Sequence, residues 1–249
     1  MAATTTEHGP VRVIRINRPK RRNAIDSATA ARLHDEFLAF DADETAKVAI
    51  LTGDETSFCA GADLLDLPRL RDSGPLGPTR LALAKPVIAA VDGWCVAGGV
   101  ELAAWCDIRV AGAGARFGCL ERRWGVPLID GGTVRLPRIV GLGRALDLIL
   151  TGREFDATEA ERIGFVTRLV ADGTALQAAV EVAETIATSP WPAVVHDRQS
   201  VYESYDLSVE EALANEDRHG RDVIFSPGFA DGVAGFVTNQ EQRRLGGRR

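Results

Sequence analysis

The sequence contains no Cys-x-x-Cys pair and no histidine spaced to complete a zinc site, so neither a metal knuckle nor a thioredoxin-like motif is written in it. Its four cysteines, Cys59, Cys95, Cys106 and Cys119, read instead as free, buried thiols of a cytoplasmic protein. The opening MAATTTEHGP has neither the basic nor the apolar region of a secretory signal. The most apolar stretch, PVIAAVDGWCVAGGVELAAWC, is interrupted by Asp92 and Glu101, which argues against a membrane span. There is no Walker sequence, and GAGARFG and GLGRA are only superficially like phosphate-binding loops. His8, His34, His196 and His219 lie apart from the glycine-rich motifs, so a Cys–His or Ser–His nucleophile has no support. A net charge of −6 and a pI near 5.3 leave no electrostatic footprint for nucleic acid.

What is present is the composition of a compact globular enzyme: 249 residues, 45% hydrophobic and 26% charged, enough chain to bury a sizeable core. One local exception to the acidic balance is the cluster Arg12, Arg15, Arg18, Lys20, Arg21 and Arg22. It reads either as a solvated face or as an anion site.

VRVIRIN alternates apolar and charged residues, the period of a half-buried strand, and RPKRRNAID follows as a loop. Ser27 is placed to cap a helix whose apolar face carries Leu33, Phe37, Leu38 and Phe40. KVAILTG, PVIAAVDG and CDIRVAG are nearly continuous apolar runs, as expected of strands covered on both faces. The turns between them are glycine-rich, and Asp63 to Leu70, Gly98 to Trp105 and the chain from Gly131 are each expected to be helical. SGPLGPT is a breaker-rich loop. Thr158 with Glu161 and Ser208 with Glu211 match capping boxes. From SPWP onward only helices are expected, which divides the chain into a core over 1–189 and a helical region over 190–249.

Two segments pose a chemical question. FCAGADL leaves a core strand through Ala60, Gly61 and Ala62, side chains too small to react but small enough to let backbone N–H groups approach a ligand. In DGWCVAGGVELAAWCD a strand runs into a helix beginning near Gly98, where unpaired N–H groups sit at the positive end of a helix dipole. Close packing explains either turn alone. Two such turns, each after a core strand, are the parts of an oxyanion hole. Glu101, on an otherwise apolar helix, should have its proton affinity raised, which suits an acid or base. A glutamate complementing the helix dipole is the plainer reading. Glu121 in RFGCLERRWG reads on its own as a surface ion-pair partner of neighbouring arginines.

Taken in order, FCAGADL, KPVIAAVDGWCVAGGVELAAWCDIRVA, RFGCLERRWGVPLIDGGTVRLPRIVG and REFDATEAERIGFV resemble the crotonase superfamily of enoyl-CoA hydratases and isomerases. The resemblance implies an α/β fold, a crotonase-like spiral of ββα units, with a C-terminal helical trimerisation region that builds a homotrimer or a homohexamer. It implies an acyl-CoA thioester substrate, with coenzyme A part of that substrate and no separate cofactor or metal. By position, the N–H groups of Ala62 and Gly98 would hold the thioester oxygen. Glu101 and Glu121 would flank a water molecule, Glu101 activating it and Glu121 supplying the α-proton in syn addition to a trans-2-enoyl thioester. Arg22, Ala24, Ala60, Asp63 and Leu64 would line the coenzyme A, largely through backbone.

The pattern departs from the family in three places. Leu65 stands where many hydratases carry a lysine, the segment from Ala62 to Lys85 is short, and VPLIDGG replaces the usual IPGAGG. The last change puts Asp130 near the catalytic aspartate of dienoyl-CoA isomerases, so it is a candidate pocket or catalytic residue, or a turn aspartate capping the helix at Gly131. An enoyl- or dienoyl-CoA isomerase, or a non-catalytic acyl-CoA binder on the same fold, are the alternatives to a hydratase.

Overall fold

The computed structural model describes residues 2–246. The chain forms two compact units, one ending at Glu184 and the next beginning at Thr185. The first holds ten strands: β1 (Ala3–His8), β2 (Val11–Ile16), β3 (Val48–Thr52), β4 (Ser57–Cys59), β5 (Val87–Val91), β6 (Trp94–Val96), β7 (Ile108–Gly112), β8 (Arg116–Gly118), β9 (Glu154–Asp156) and β10 (Arg168–Val170). Its helices are α1 (Ser27–Ala42), α2 (Gly98–Trp105), α3 (Gly132–Val140), α4 (Leu142–Thr151) and α5 (Ala157–Arg162), with α6 (Ala175–Ala187) running through the division.

Two sheets share these strands. One is ordered β1-β2-β3-β5-β7-β10 and the other β4-β6-β8-β9. Chain order alternates between them: β3 then β4, β5 then β6, β7 then β8, so each circuit lays one strand in each sheet and then crosses back. That is a spiral of ββα turns. Pairing between successive circuits is parallel, and only β1 against β2 and β9 against β8 are antiparallel. β3 and β5 are buried along their whole length, which is why their sequences read as unbroken apolar runs rather than as alternation. Phe37 and Phe40 of α1 and Phe58, Phe117 and Phe165 are fully buried, each removing enough apolar surface from water to stabilise the core by about 1.5–3 kcal/mol.

Several local expectations change. α1 is capped by Asp26, whose Oδ1 accepts the Thr29 N–H at 2.7 Å, while Ser27 accepts the Arg69 N–H at 3.1 Å. Leu38 turns out of the apolar face and is exposed. Residues 63–70 are not helical: Asp63 closes one turn on Leu65 and Asp66, and Pro68 then denies the donor that a helix would need. α5 starts from Asp156, which accepts the Glu159 N–H at 2.8 Å, instead of a Thr158–Glu161 box, because β9 delivers Asp156 in extended backbone directly before the helix. β1, which pairs with β2 along its whole length, carries no strong signal in its sequence.

The second unit contains α7 (Trp191–Glu203), α8 (Val209–Ile224) and α9 (Pro227–Gly246). Ser208 and Glu211 form the expected reciprocal capping box at the start of α8. An apolar groove of about 320 Å³ is lined by Pro190, Ala193, Val223, Phe229, Val233 and Phe236 among others. Among the described residues no helix is long and apolar enough to cross a membrane.

Candidate active site

β4 and β6 are neighbours in the smaller sheet, with Cys59 beside Cys95, so the two glycine-rich turns that follow them emerge side by side. After β4 the chain makes one more parallel bridge: the Ile25 N–H reaches Gly61 O and the Asp63 N–H reaches Ile25 O, both at 2.8 Å. Both bonds skip Ala62. Its own N–H therefore points away from Ile25 and has no partner among the described residues. The Gly61 N–H is held at 3.3 Å by the Cys59 sulfur.

After β6, Ala97 sits at φ 53°, ψ −127°, left-handed backbone that a non-glycine residue adopts only at a cost of about 1–3 kcal/mol. This twist ends the strand, whose last N–H goes from Ala97 to Gly118 O, and starts α2 at Gly98. The Gly98 N–H is left without a partner among the described residues, as the first donor of a helix is. The two turns touch: a Cβ built on Gly61 would lie 2.7 Å from Gly98 N and 2.9 Å from Ala97 Cβ. Glycine is required there by space as well as by its φ of 86°.

Glu101 lies one turn into α2 and is 3% exposed. Its Oε1 accepts the N–H groups of Asp130 at 2.9 Å and Gly132 at 2.8 Å, at the start of α3. Burial pushes its pKa up to about 7, against those hydrogen bonds, with the charges of Asp130 and Glu121 adding to the rise. Glu121 is set by β8, which passes through Cys119 into a short 3-10 helix, Leu120–Trp124. It is buried, and neither carboxylate oxygen has a hydrogen-bond partner among the described residues. Burial raises its pKa too. The surface ion-pair reading therefore fails. The Cys119 thiol, flanked by both glutamates, is pushed up to about 12 chiefly by burial, and Cys59 likewise. Both are inert as nucleophiles.

Asp130 does not cap α3, which begins from Gly131 with no side-chain cap. Its Oδ1 accepts the Leu76 N–H at 3.0 Å and the Thr79 hydroxyl. Leu76, Thr79, Gly132 and Arg135 thus belong to the surroundings of the site, although the sequence marked only a breaker-rich loop and a glycine pair. The periodic signals of helices and strands carry no information about such long-range loop contacts.

The basic cluster divides. Arg12 is buried against Glu7 and Asp43, Arg15 donates to Gly53 O, and Arg18 pairs with Asp26 at 2.8 Å and Asp63 at 3.1 Å. Lys20, Arg21 and Arg22 are exposed. Arg22 O accepts the Ala60 N–H at 3.1 Å, which joins this basic loop to the first glycine turn. Ala24 is buried, with its carbonyl taken by Arg18, and Leu64 is half exposed. Asp63 is buried and engaged by Arg18, so its side chain faces the protein. Among the described residues no cluster of His, Cys, Asp and Glu is arranged to hold a metal ion.

A family model described as enoyl-CoA hydratase/isomerase matches residues 6–243. The chain is 39% identical over 240 residues to a probable enoyl-CoA hydratase of Rhizobium meliloti, covering 94% of this chain and 93% of that one. It is 36% identical to the mevalonyl-coenzyme A hydratase sidH of Aspergillus fumigatus, covering 92% and 89%. The crystal structure of an enoyl-CoA hydratase from Mycobacterium tuberculosis H37Rv superimposes with a TM-score of 0.92 at 35% identity, covering 96% of each chain.

Proposed function

The chain belongs to the enoyl-CoA hydratase/isomerase family, and from that membership we propose that it is a hydratase adding water syn across a trans-2-enoyl-CoA. The observation that carries this reading is Glu121: a buried acid with both oxygens unpartnered, in the neighbourhood of the anchored Glu101. A buried acid left without a partner costs stability and persists where a ligand uses it.

In the proposed reaction the thioester oxygen accepts hydrogen bonds from the N–H groups of Ala62 and Gly98. Ionised Glu101 takes a proton from water as the water oxygen bonds to Cβ. The C–C π electrons move toward the thioester oxygen, where the two amides stabilise the enolate charge. Protonated Glu121 then gives its proton to Cα on the same face, yielding the 3-hydroxyacyl thioester. One proton has entered through Glu121 and one has left the water for Glu101, so proton exchange between the acids restores the site. The scheme needs no metal or redox cofactor, and coenzyme A enters with the substrate.

Lys20, Arg21 and Arg22 are placed to attract the phosphates of coenzyme A, with the Arg22, Ala24, Ala60, Asp63 and Leu64 backbone along it. The apolar groove of the second unit supports assembly into a trimer or hexamer. The four free, buried thiols support a reducing, cytoplasmic setting.

The test is incubation with crotonoyl-CoA and, separately, a 3-enoyl-CoA, following the conjugated thioester by absorbance and the product by mass. A hydratase adds the mass of water to the first. Double-bond migration in the second without any hydration would replace this reading with isomerase, and inertness toward both would leave a binder.

A further inference from the structure

Residues 74–79 are buried yet form no helix or strand, so their polar backbone must find partners elsewhere. Local turns pair some of it, and Asp130 takes the Leu76 N–H. It is 2% exposed, and one oxygen, Oδ1, accepts from both Leu76 N and Thr79 Oγ1. Arg135 clamps the same two stretches from their carbonyl side, donating to Asp130 O at 3.0 Å and to Thr79 O at 2.6 Å. Arg80 closes the far end on Ile129 O at 2.8 Å.

Each end of this link meets the proposed chemistry. The Asp130 N–H is one of the two donors that fix Glu101. Leu76, pinned by the Asp130 carboxylate, lies against the second glycine turn: a Cβ on Gly98 would stand 2.5 Å from Leu76 Cδ1. Main chain and side chain of a single residue therefore reach the proton-transfer half and the oxyanion half. Resting on the hydratase reading, we propose that Asp130 is a positioning residue, its main chain orienting Glu101 while its carboxylate pins Leu76 over the Gly98 turn. Its Oδ1 is committed to two donors of the loop, which is the anchoring role.

The experiment compares wild type, Asp130→Ala, Asp130→Asn and Thr79→Val, by crotonoyl-CoA kinetics and by amide hydrogen exchange of residues 74–80 and 97–100. Asn keeps an oxygen that accepts both bonds, while it loses the charge and carries an NH2 in place of the second oxygen. We expect Asp130→Ala to lower kcat about 10²-fold, with a smaller change in KM and faster exchange in both segments. Asp130→Asn should restore kcat to within about fivefold of wild type and keep exchange slow, since its neutral oxygen still satisfies both donors. Thr79→Val removes one bond and leaves the charge. It should lie between them, and it serves should Asp130→Ala not fold.

Two results overturn the proposal: an Asn variant as inactive as the Ala variant, which would make Asp130 a proton carrier, or unchanged exchange at 74–80 once the anchor is cut. If wild type itself does not hydrate crotonoyl-CoA, the hydratase reading falls separately. The exchange comparison still decides the anchoring.

Discussion

Gly132 stands so close to Glu101 that its N–H reaches the carboxylate at 2.8 Å and a Cβ added to it would lie 2.9 Å from that same oxygen. Position 132 thus combines a donor with a space that only glycine leaves open. Gly132→Ala should push the carboxylate off its seat and lower kcat at least about tenfold, since small displacements of a reacting group are costly. Its unfolding midpoint should fall as well, because Glu101 Cγ and Cδ stand 3.0 and 3.2 Å from the same Cβ and the buried carboxylate loses its seat. Steady-state kinetics and denaturant unfolding on the same preparation check both parts.

Glu121 makes the opposite kind of prediction. Glu121→Gln should reduce turnover by about 10²–10⁴ through loss of the proton donor. The fold should be about as stable as wild type, because neither oxygen of the replaced group has a hydrogen-bond partner to lose. A variant that hydrates at the wild-type rate would remove Glu121 from the chemistry.

Glu101 links activity and stability to pH. Its folded pKa, about 7, lies above its ordinary value of 4.5. The stabilisation this represents is complete below pH 4.5 and is lost as pH rises through 7, in total roughly 3 kcal/mol. Glu101→Gln lacks this titration, so its stability relative to wild type should climb between about pH 5 and about pH 8 in urea unfolding. In the same window wild-type kcat/KM should rise as Glu101 becomes the ionised base.

The contact between the glycine turns can be tested from one side. Gly61→Ala puts a methyl against Gly98 N and Ala97 Cβ, and forces alanine into a φ of 86°. Both proposed donors should shift, costing about 10²–10³ in kcat. Binding of a saturated acyl-CoA, measured by calorimetry, should be weakened far less.

How much of this was legible beforehand depended on range. β3 and β5 are legible because strands buried on both faces must be apolar throughout, β7 because Arg109 is its one charged residue, and α2 because Gly98 and the apolar run after it admit few other structures. Ser27 and Thr158 lie one or two residues past the true caps, because each helix begins where the preceding chain delivers Asp26 or Asp156 in extended backbone. Asp63 to Leu70 forms no helix despite its composition, because Pro68 withholds a donor from its middle. For Glu121 the sequence showed arginines on either side of the pattern but not the burial that isolates it. For Asp130 the decisive partners lie 51 and 54 residues away, at Thr79 and Leu76, where no periodicity reaches.

The adjacency of β4 and β6 has a consequence for how this scaffold can change. Hydrogen-bonded parallel strands keep a fixed spacing of about 4.8 Å, so the distance between the two turns is inherited from a ladder rather than negotiated by loops. Changes in the irregular chain between residues 63 and 85 leave that ladder spacing in place and reach the two turns only through what Leu76 and Thr79 touch, the Gly98 turn and Asp130. The spacing of the turns and the contacts laid over them are thereby separately heritable.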